Sequence, residues 1–291
     1  MDIRSYVCFM LSRRLMRQPE RRTVDFSAYR DWRHASLAKS FASFDDVRIK
    51  GKDVLDFGCG DGELSLFLAK EKRPRRIVGV DISAEAIDRA RLTLRNIAIP
   101  DGSEVEFAIG STESLPFPDQ SFDTLLAFDC FEHVMSPHLI LRDWYRVLRP
   151  GGECCIEWFP YKGPWGPHME SLIPIPWAHV LFGERAMFHA AEAIYDLPDF
   201  VPRHWDLDES GRKKPNKWRA WSSFEEQGYI NKLSIYDFRR IAHDAGFKID
   251  RLVLNSFGGS SIRKFLGKRL MRLPVVGEYF VLFALIKLVR V

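Results

Sequence analysis

The chain has 291 residues, 46% of them hydrophobic, and 43 Lys and Arg against 39 Asp and Glu leave a formal net charge of +4. That length and apolar content support a sizeable core in one large domain, or in one domain with additions, and the charge is mild for a nucleic-acid binder. Five scattered cysteines show no metal-ligand spacing and no disulfide framework, which fits a reducing compartment such as the cytoplasm.

Residues 1–50 precede the first strand and read as an N-terminal helical cap. Arg13, Arg14, Arg17, Arg21 and Arg22 stand near an apolar run, Tyr6 to Met10, that is too short for the core of a secretory signal. The first 25 residues suit either a basic amphipathic segment for an anionic surface or a solvated, partly ordered arm, the favoured reading. Tyr29, Trp32 and Leu37 fall at helical spacing within Phe26 to Phe44. That spacing predicts a helix, lying over a ligand pocket or serving only to pack.

Residues 51–159 alternate strand and helix. Gly51 to Phe57 predicts strand 1, and Glu63 to Glu71 a helix ended by Pro74. Arg76 to Val80 is strand 2. Ser83 is an N-cap candidate for Ala84 to Asn96, which is rich in helix formers. Glu104 to Ile109 is strand 3, and the apolar run Phe122 to Phe128 is buried strand 4. Pro137 suits the first turn of a helix that ends near Arg149-Pro150-Gly151-Gly152, before strand 5 at Glu153 to Phe159. Such alternation implies an α/β fold with parallel strands and right-handed crossovers.

Residues 160–232 break this rhythm, holding eight of the sixteen prolines and five of the eight tryptophans. The segment leaves the carboxyl end of strand 5, the side on which open α/β sheets bind ligands. It reads as a lid or substrate insertion in which Trp158, Phe159, Tyr161, Trp165, Trp177, Phe182 and Phe188 form an apolar pocket. The alternative is an accessory subdomain with its own small core. Residues 233–291 return to the sheet. Ser234 caps a helix from Ile235 to Ala245 that Gly246 stops. Phe247 to Asn255 is a strand, and Ile262 to Met271 a basic helix ended by Pro274. The apolar run Phe280 to Ile286 is interrupted by Lys287 and Arg290, well short of the roughly 18 apolar residues a membrane span needs, and reads as the last strand.

The stretch Val54-Leu55-Asp56-Phe57-Gly58-Cys59-Gly60-Asp61-Gly62 carries the chemistry. Glycines permit a tight turn and close ligand approach, and an acid to grip a ribose is expected at the end of the next strand. Asp81 in Ile77-Val78-Gly79-Val80-Asp81 meets that expectation. A dinucleotide site uses Gly-x-Gly-x-x-Gly, whereas the third glycine here comes one residue early. Asp56 and Asp61 flank the turn and would repel phosphate but suit an ammonium and a sulfonium. The stretch closely resembles motif I of the class I S-adenosylmethionine-dependent methyltransferases.

The resemblance implies a Rossmann-like seven-stranded sheet of order 3-2-1-4-5-7-6, with the last strand antiparallel. It also implies S-adenosylmethionine as cofactor. Asp56, Gly58, Cys59 and Gly60 would lie near its methionine moiety, Asp81 would accept both ribose hydroxyls, and Ile82 would pack on the adenine. Gly110-Ser111-Thr112-Glu113-Ser114-Leu115-Pro116-Phe117 resembles the family's Gly-Asp-Ala-Glu-x-Leu-Pro-Phe. Ser111 stands where the family has the acid that takes the adenine amino group, which implies an uncharged, weaker grip, with Thr112 and Glu113 beside it. Asp129, after strand 4, would meet the methionine portion.

Methyl transfer is an in-line displacement that needs alignment and often a base. Glu132 and His133 follow strand 4 and His168 follows strand 5, and histidine titrates near neutrality. Asp129-Cys130-Phe131-Glu132-His133-Val134 resembles the Glu-x-x-Glu-His-Val of ubiquinone-biosynthesis O-methyltransferases. That likeness implies a divalent metal on Asp129, Glu132 and His133, with His168 as a fourth ligand. The alternative keeps His133 as a metal-free pocket residue. The Asn/Asp-Pro-Pro-Tyr/Phe motif of amino-methylating nucleic-acid enzymes is missing after strand 4, where the chain reads Phe128-Asp129-Cys130-Phe131. The expectation is a methyltransferase for a small, apolar acceptor, with a hydroxyl or carboxylate favoured over nitrogen or carbon. The competing reading is a non-catalytic cofactor-binding protein peripheral to a membrane.

Overall fold

The computed structural model describes residues 1–16, 36–37, 39–208, 210–257 and 261–291. They belong to two compact units. The sheet unit comprises Ala28–Pro160, Leu233–Asn255 and Phe283–Val291, and the other comprises Met1–Ser27, Tyr161–Lys232 and Ser256–Leu282.

The seven strands are β1 (Asp53–Phe57), β2 (Arg76–Asp81), β3 (Glu104–Ile109), β4 (Phe122–Phe128), β5 (Leu148–Trp158), β6 (Phe247–Ser256) and β7 (Val281–Arg290). Their order is β3-β2-β1-β4-β5-β7-β6, the order the resemblance implied. β1 pairs parallel with β2 and β4, β2 with β3, and β4 with β5, whereas β7 runs antiparallel to β5. All five residues of β1 are buried, as a central strand covered on both faces requires. The covering helices in this unit are α2 (Glu63–Glu71), α3 (Ala84–Arg95), α4 (Pro137–Val147) and α8 (Ile235–Asp244). Ser83 and Ser234 cap α3 and α8 as expected, accepting from the N–H groups of Ala86 and Asp237. Ile140, Leu141, Trp144 and Val147 form the buried stripe of α4.

Two strand boundaries depart from the sequence expectation, and charge explains both. β5 begins at Leu148 instead of Glu153. Phe122 pairs with Leu148 and Thr124 with Glu153, so residues 149–152 bulge opposite Asp123. The bulge lets Arg149 pair with Asp53 at 2.9 Å and with Asp123 at 3.1 Å, at the amino end of the sheet. β7 runs past Lys287 because that buried ammonium is matched. It donates to Asp46 at 2.6 Å and lies 2.8 Å from Glu153. Burial alone would lower the pKa of Lys287, and the bonds to Asp46 and Glu153 reverse that to a net rise. The bond to Lys287 in turn lowers the pKa of Asp46. With its pKa lowered, Asp46 keeps its charge through the ordinary carboxylate range, and the stability from its pair with Lys287 is lost only as pH falls below that range. Lys287→Met leaves these acids without their cation. We expect it to cost about 2 kcal/mol at pH 7, below the usual loss for a broken buried pair because water reaches Asp46. Denaturant titration at pH 7 and at about pH 2 checks this, with a smaller difference expected at the lower pH.

The predicted helix over Phe26 to Phe44 falls partly outside the described residues, including Tyr29 and Trp32. Its end is helical at residues 39–42. Leu37, Phe41 and Phe44 are buried with Val54, Leu68 and Phe128, and the Phe44 and Phe128 rings stack at 5.5 Å.

The other unit has its own core. α1 (Ile3–Leu15), α5 (Ala178–Leu181), α6 (Glu184–Tyr195), α7 (Phe224–Gln227) and α9 (Ser261–Leu270) belong to it. Cys8, Phe188, Ile194, Phe224 and Ile230 are buried together. Phe188 meets Phe224 at 5.0 Å and Trp218 at 6.1 Å. Residues 3–15 therefore form an ordered helix packed against α6, where a solvated arm was favoured. Tyr161, Phe182 and Phe188 of the expected pocket set lie in or against this core. Trp158 instead is fully buried in the sheet unit, against Phe131 and Phe238.

Candidate functional site

The turn from β1 into α2 is left-handed at Gly58, Gly60 and Gly62, with φ of +72°, +53° and +83°. The three glycines do different things. A Cβ at Gly58 would lie 2.6 Å from the Cβ of Cys130, and one at Gly62 would lie 2.6 Å from the Phe107 ring. Those two make room for neighbours. A Cβ at Gly60 would meet nothing within 4 Å, so that backbone borders open space. Gly58 and Cys59 both donate their N–H groups to the Val80 carbonyl, at 2.8 and 3.0 Å. Gly79 has no side chain because Phe107 and Cys59 fill its place; an added Cβ would lie 2.7 Å from the Phe107 ring and 2.9 Å from the Cys59 sulfur. Cys59 is thus turned inward, and burial pushes its thiol pKa up.

Asp81 ends β2 beside this turn. Its Oδ2 accepts from the Gly60 N–H and its Oδ1 from the Ser83 N–H, each at 2.9 Å. Both oxygens are thereby aimed by backbone, and each retains a lone pair for a hydroxyl. Ile82 follows with 65% of its surface exposed, an unusual fate for isoleucine. Ile109, the sheet partner of Asp81, is also exposed. The two apolar side chains flank an acid whose oxygens are free to accept further donors.

The loop after β3 is held by α4. Asp143 accepts from the Leu115 N–H at 2.6 Å, and Arg146 donates to the carbonyls of Phe117 and Leu115 at 2.7 and 3.1 Å. Within it Ser111 is exposed and its hydroxyl accepts from the Glu113 N–H at 3.1 Å. Thr112 is half-buried, and Glu113 is exposed and accepts from Ser136 at 3.4 Å.

After β4 the chain turns sharply. Asp129 has φ of +54°, a conformation aspartate tolerates better than most residues. Cys130 donates to the Phe57 carbonyl at 3.2 Å. A short 3₁₀ turn, Phe131–His133, follows. Phe131 anchors it, with its ring 5.6 Å from both Trp144 and Phe238 and 5.9 Å from Trp158. Glu132 is buried and His133 half-buried. Burial first, and then the negative charge of Asp129, raises the Glu132 pKa well above the carboxylate range. A divalent ion held by Glu132 and His133 would displace that proton. His168 lies in the other unit, at φ of +53°.

The structure thus brings Gly58, Cys59, Gly60, Asp81, Ile82 and Asp129 to the carboxyl ends of the sheet strands. Two sequence readings change in detail. Asp61 is paired with Arg89 at 2.7 Å, so the turn does not carry two uncompensated carboxylates. Asp56 is buried and accepts the Ser65 hydroxyl at 2.6 Å, tying β1 to α2. Sequence reasoning missed Cys130 and Phe107, which fill the glycine gaps. Gly79 inside a strand was the available signal, since an interior strand glycine marks a close approach.

Residues 55–156 match the family described as a methyltransferase domain. The chain is 33% identical over 133 residues to norajmaline N-methyltransferase of Rauvolfia serpentina, covering 45% of this chain and 44% of that enzyme. It is 28% identical over 204 residues to demethylmenaquinone methyltransferase of Listeria monocytogenes, covering 68% and 75% respectively. A solved S-adenosylmethionine dependent methyltransferase from Mesorhizobium loti shares the fold with a TM-score of 0.51, at 16% identity, over 88% of this chain and 98% of that one. An aspartate aimed by two backbone N–H groups, an open left-handed glycine at the β1–α2 turn and the β3-β2-β1-β4-β5-β7-β6 sheet accompany these matches, and residues 55–156 carry a methyltransferase domain of the class I S-adenosylmethionine-dependent type.

Proposed function

We propose that the chain transfers a methyl group to a small, largely apolar acceptor, with oxygen as the favoured nucleophile and His133 as the base. The observation that carries this reading is the short turn at Phe131–His133. It is pinned by a buried aromatic cluster, and it starts beside Cys130, which fills the gap left by Gly58. A half-buried histidine on a rigid turn next to the cofactor-binding glycines is suited to accept a hydroxyl proton. The open backbone at Gly60 and the aimed carboxylate of Asp81 fit S-adenosylmethionine. When bound, it supplies an already activated methyl. Asp81 then holds the ribose, Ile82 covers an adenine face, and Ser111 offers an acceptor for the adenine amino group. Two relatives whose names specify a quinone and an alkaloid acceptor support the small-molecule class.

The test is formation of S-adenosylhomocysteine, read by mass spectrometry, with panels of aromatic hydroxyls, carboxylic acids and amines. Hydroxyls or carboxylic acids are expected to turn over. His133→Ala should lower kcat at least tenfold while leaving cofactor affinity unchanged, with His168→Ala as the comparison variant. Full turnover by His133→Ala removes its role. Transfer confined to amines would favour nitrogen, the reading that the 33% match to norajmaline N-methyltransferase supports. No turnover with any acceptor would favour a cofactor-binding protein without transfer.

A further inference from the structure

α1 is built inside out. Its face toward the unit's core is formed by the buried Ser5, Cys8 and Ser12, with Phe9 partly buried against the core beside them. The opposite face exposes Ile3, Tyr6, Val7, Met10, Leu11 and Leu15. On an ordinary surface helix the apolar stripe faces the core. Arg4, Arg13 and Arg14 lie among these apolar residues, and no acid occurs between Ile3 and Leu15. At 13 residues the helix is too short to span a bilayer, which takes about 20.

The same unit repeats this chemistry elsewhere. Phe265, Leu266, Leu273, Val275 and Val276 are exposed, interleaved with the exposed cations Lys268, Arg269 and Arg272. No acid occurs from Ser261 to Gly277. Arg269 sits 4.7 Å over the Phe265 ring, leaving its charge on the outside. Val275 is 90% exposed at φ of +66°, a strained conformation for a β-branched residue. Such strain is a pointer to function when the surroundings do not explain it, and here it turns an apolar side chain outward.

We propose that this unit docks on an anionic lipid surface, with α1 and the 265–276 segment lying in the interface. Charge complementarity selects this occupant. Large exposed apolar side chains set among cations match an anionic headgroup layer over hydrocarbon, with Arg13 also 3.8 Å from Asp199. Two separate segments of the unit carry this chemistry. The inference does not rest on the identity of the methyl acceptor.

The full chain is sedimented with vesicles of phosphatidylcholine alone and of phosphatidylcholine with an equal part of phosphatidylglycerol. Anionic vesicles are expected to retain it at least tenfold better, since each basic residue near such a surface contributes about fivefold, and salt should erode the difference. Val7→Asp with Met10→Asp, and separately Arg269→Glu with Arg272→Glu, should each reduce retention at least tenfold. These side chains are exposed, so melting temperature should hold. Equal retention on neutral vesicles would overturn the proposal, as would variants that bind like the parent. A dimer that Val7→Asp with Met10→Asp converts to monomer, without vesicle binding by the parent, would assign the face to a second copy and overturn it too.

Discussion

Asp81→Ala is expected to weaken S-adenosylhomocysteine binding by roughly 10²–10³-fold, because two hydrogen bonds from a ribose to a charged acceptor are lost together. The side chain does more than supply charge. Its two oxygens take the N–H groups of Gly60 and Ser83, at 2.9 Å each, and so lock the glycine turn against the start of α3. Alanine leaves both donors to find water and frees the Gly60 backbone, so cofactor grip and turn geometry fail together. Asp81→Asn keeps the size of the side chain and removes the paired acceptors. An amide can accept from only one of the two N–H groups and must turn its NH₂ toward the other. It should therefore bind almost as poorly as alanine despite its equal size. Isothermal titration of the folded variants checks this. A dissociation constant for Asp81→Ala within fivefold of the parent would remove Asp81 from the ribose role.

The parts of this molecule that were legible in its sequence are those in which a short run of residues determines its own outcome. The buried apolar runs became β1 and β4, Ser83 and Ser234 became caps, and the spacing from Gly58 to Asp81 became a turn bonded to an acid. What was not legible depended on partners distant in sequence. Lys287 looked like an interruption of the last apolar run, because Asp46 lies 241 residues away. Asp61 looked like free charge because Arg89 arrives only when α3 packs. The bulge in β5 needed Asp53 and Asp123 to draw Arg149 across. α1 defeated pattern reading for another reason. Its fully buried residues are Ser5, Cys8 and Ser12, with Phe9 partly buried beside them, while its outer stripe is apolar, so the usual assignment of faces misleads.

The glycine turn yields the second large effect, and here neighbouring glycines should separate stability from binding. Gly58→Ala adds a methyl 2.6 Å from the Cβ of Cys130 at a φ of +72°. The left-handed conformation costs alanine about 1–2 kcal/mol and the overlap about 1–3 kcal/mol more. A loss of that size should lower the melting temperature by roughly 5–15 °C and displace the Asp129–His133 segment with Cys130. Gly60→Ala has the same left-handed penalty, at φ of +53°, but no neighbour within 4 Å. It should melt within about 4 °C of the parent while losing at least tenfold in cofactor affinity, because its methyl enters the open space beside Asp81. Cys130→Gly combined with Gly58→Ala tests the overlap directly: removing the clashing Cβ should recover part of the lost stability, although the strained φ remains. A Gly60→Ala protein that melts as low as Gly58→Ala, or that binds cofactor like the parent, would mean that the open side of the turn is not where the cofactor lies.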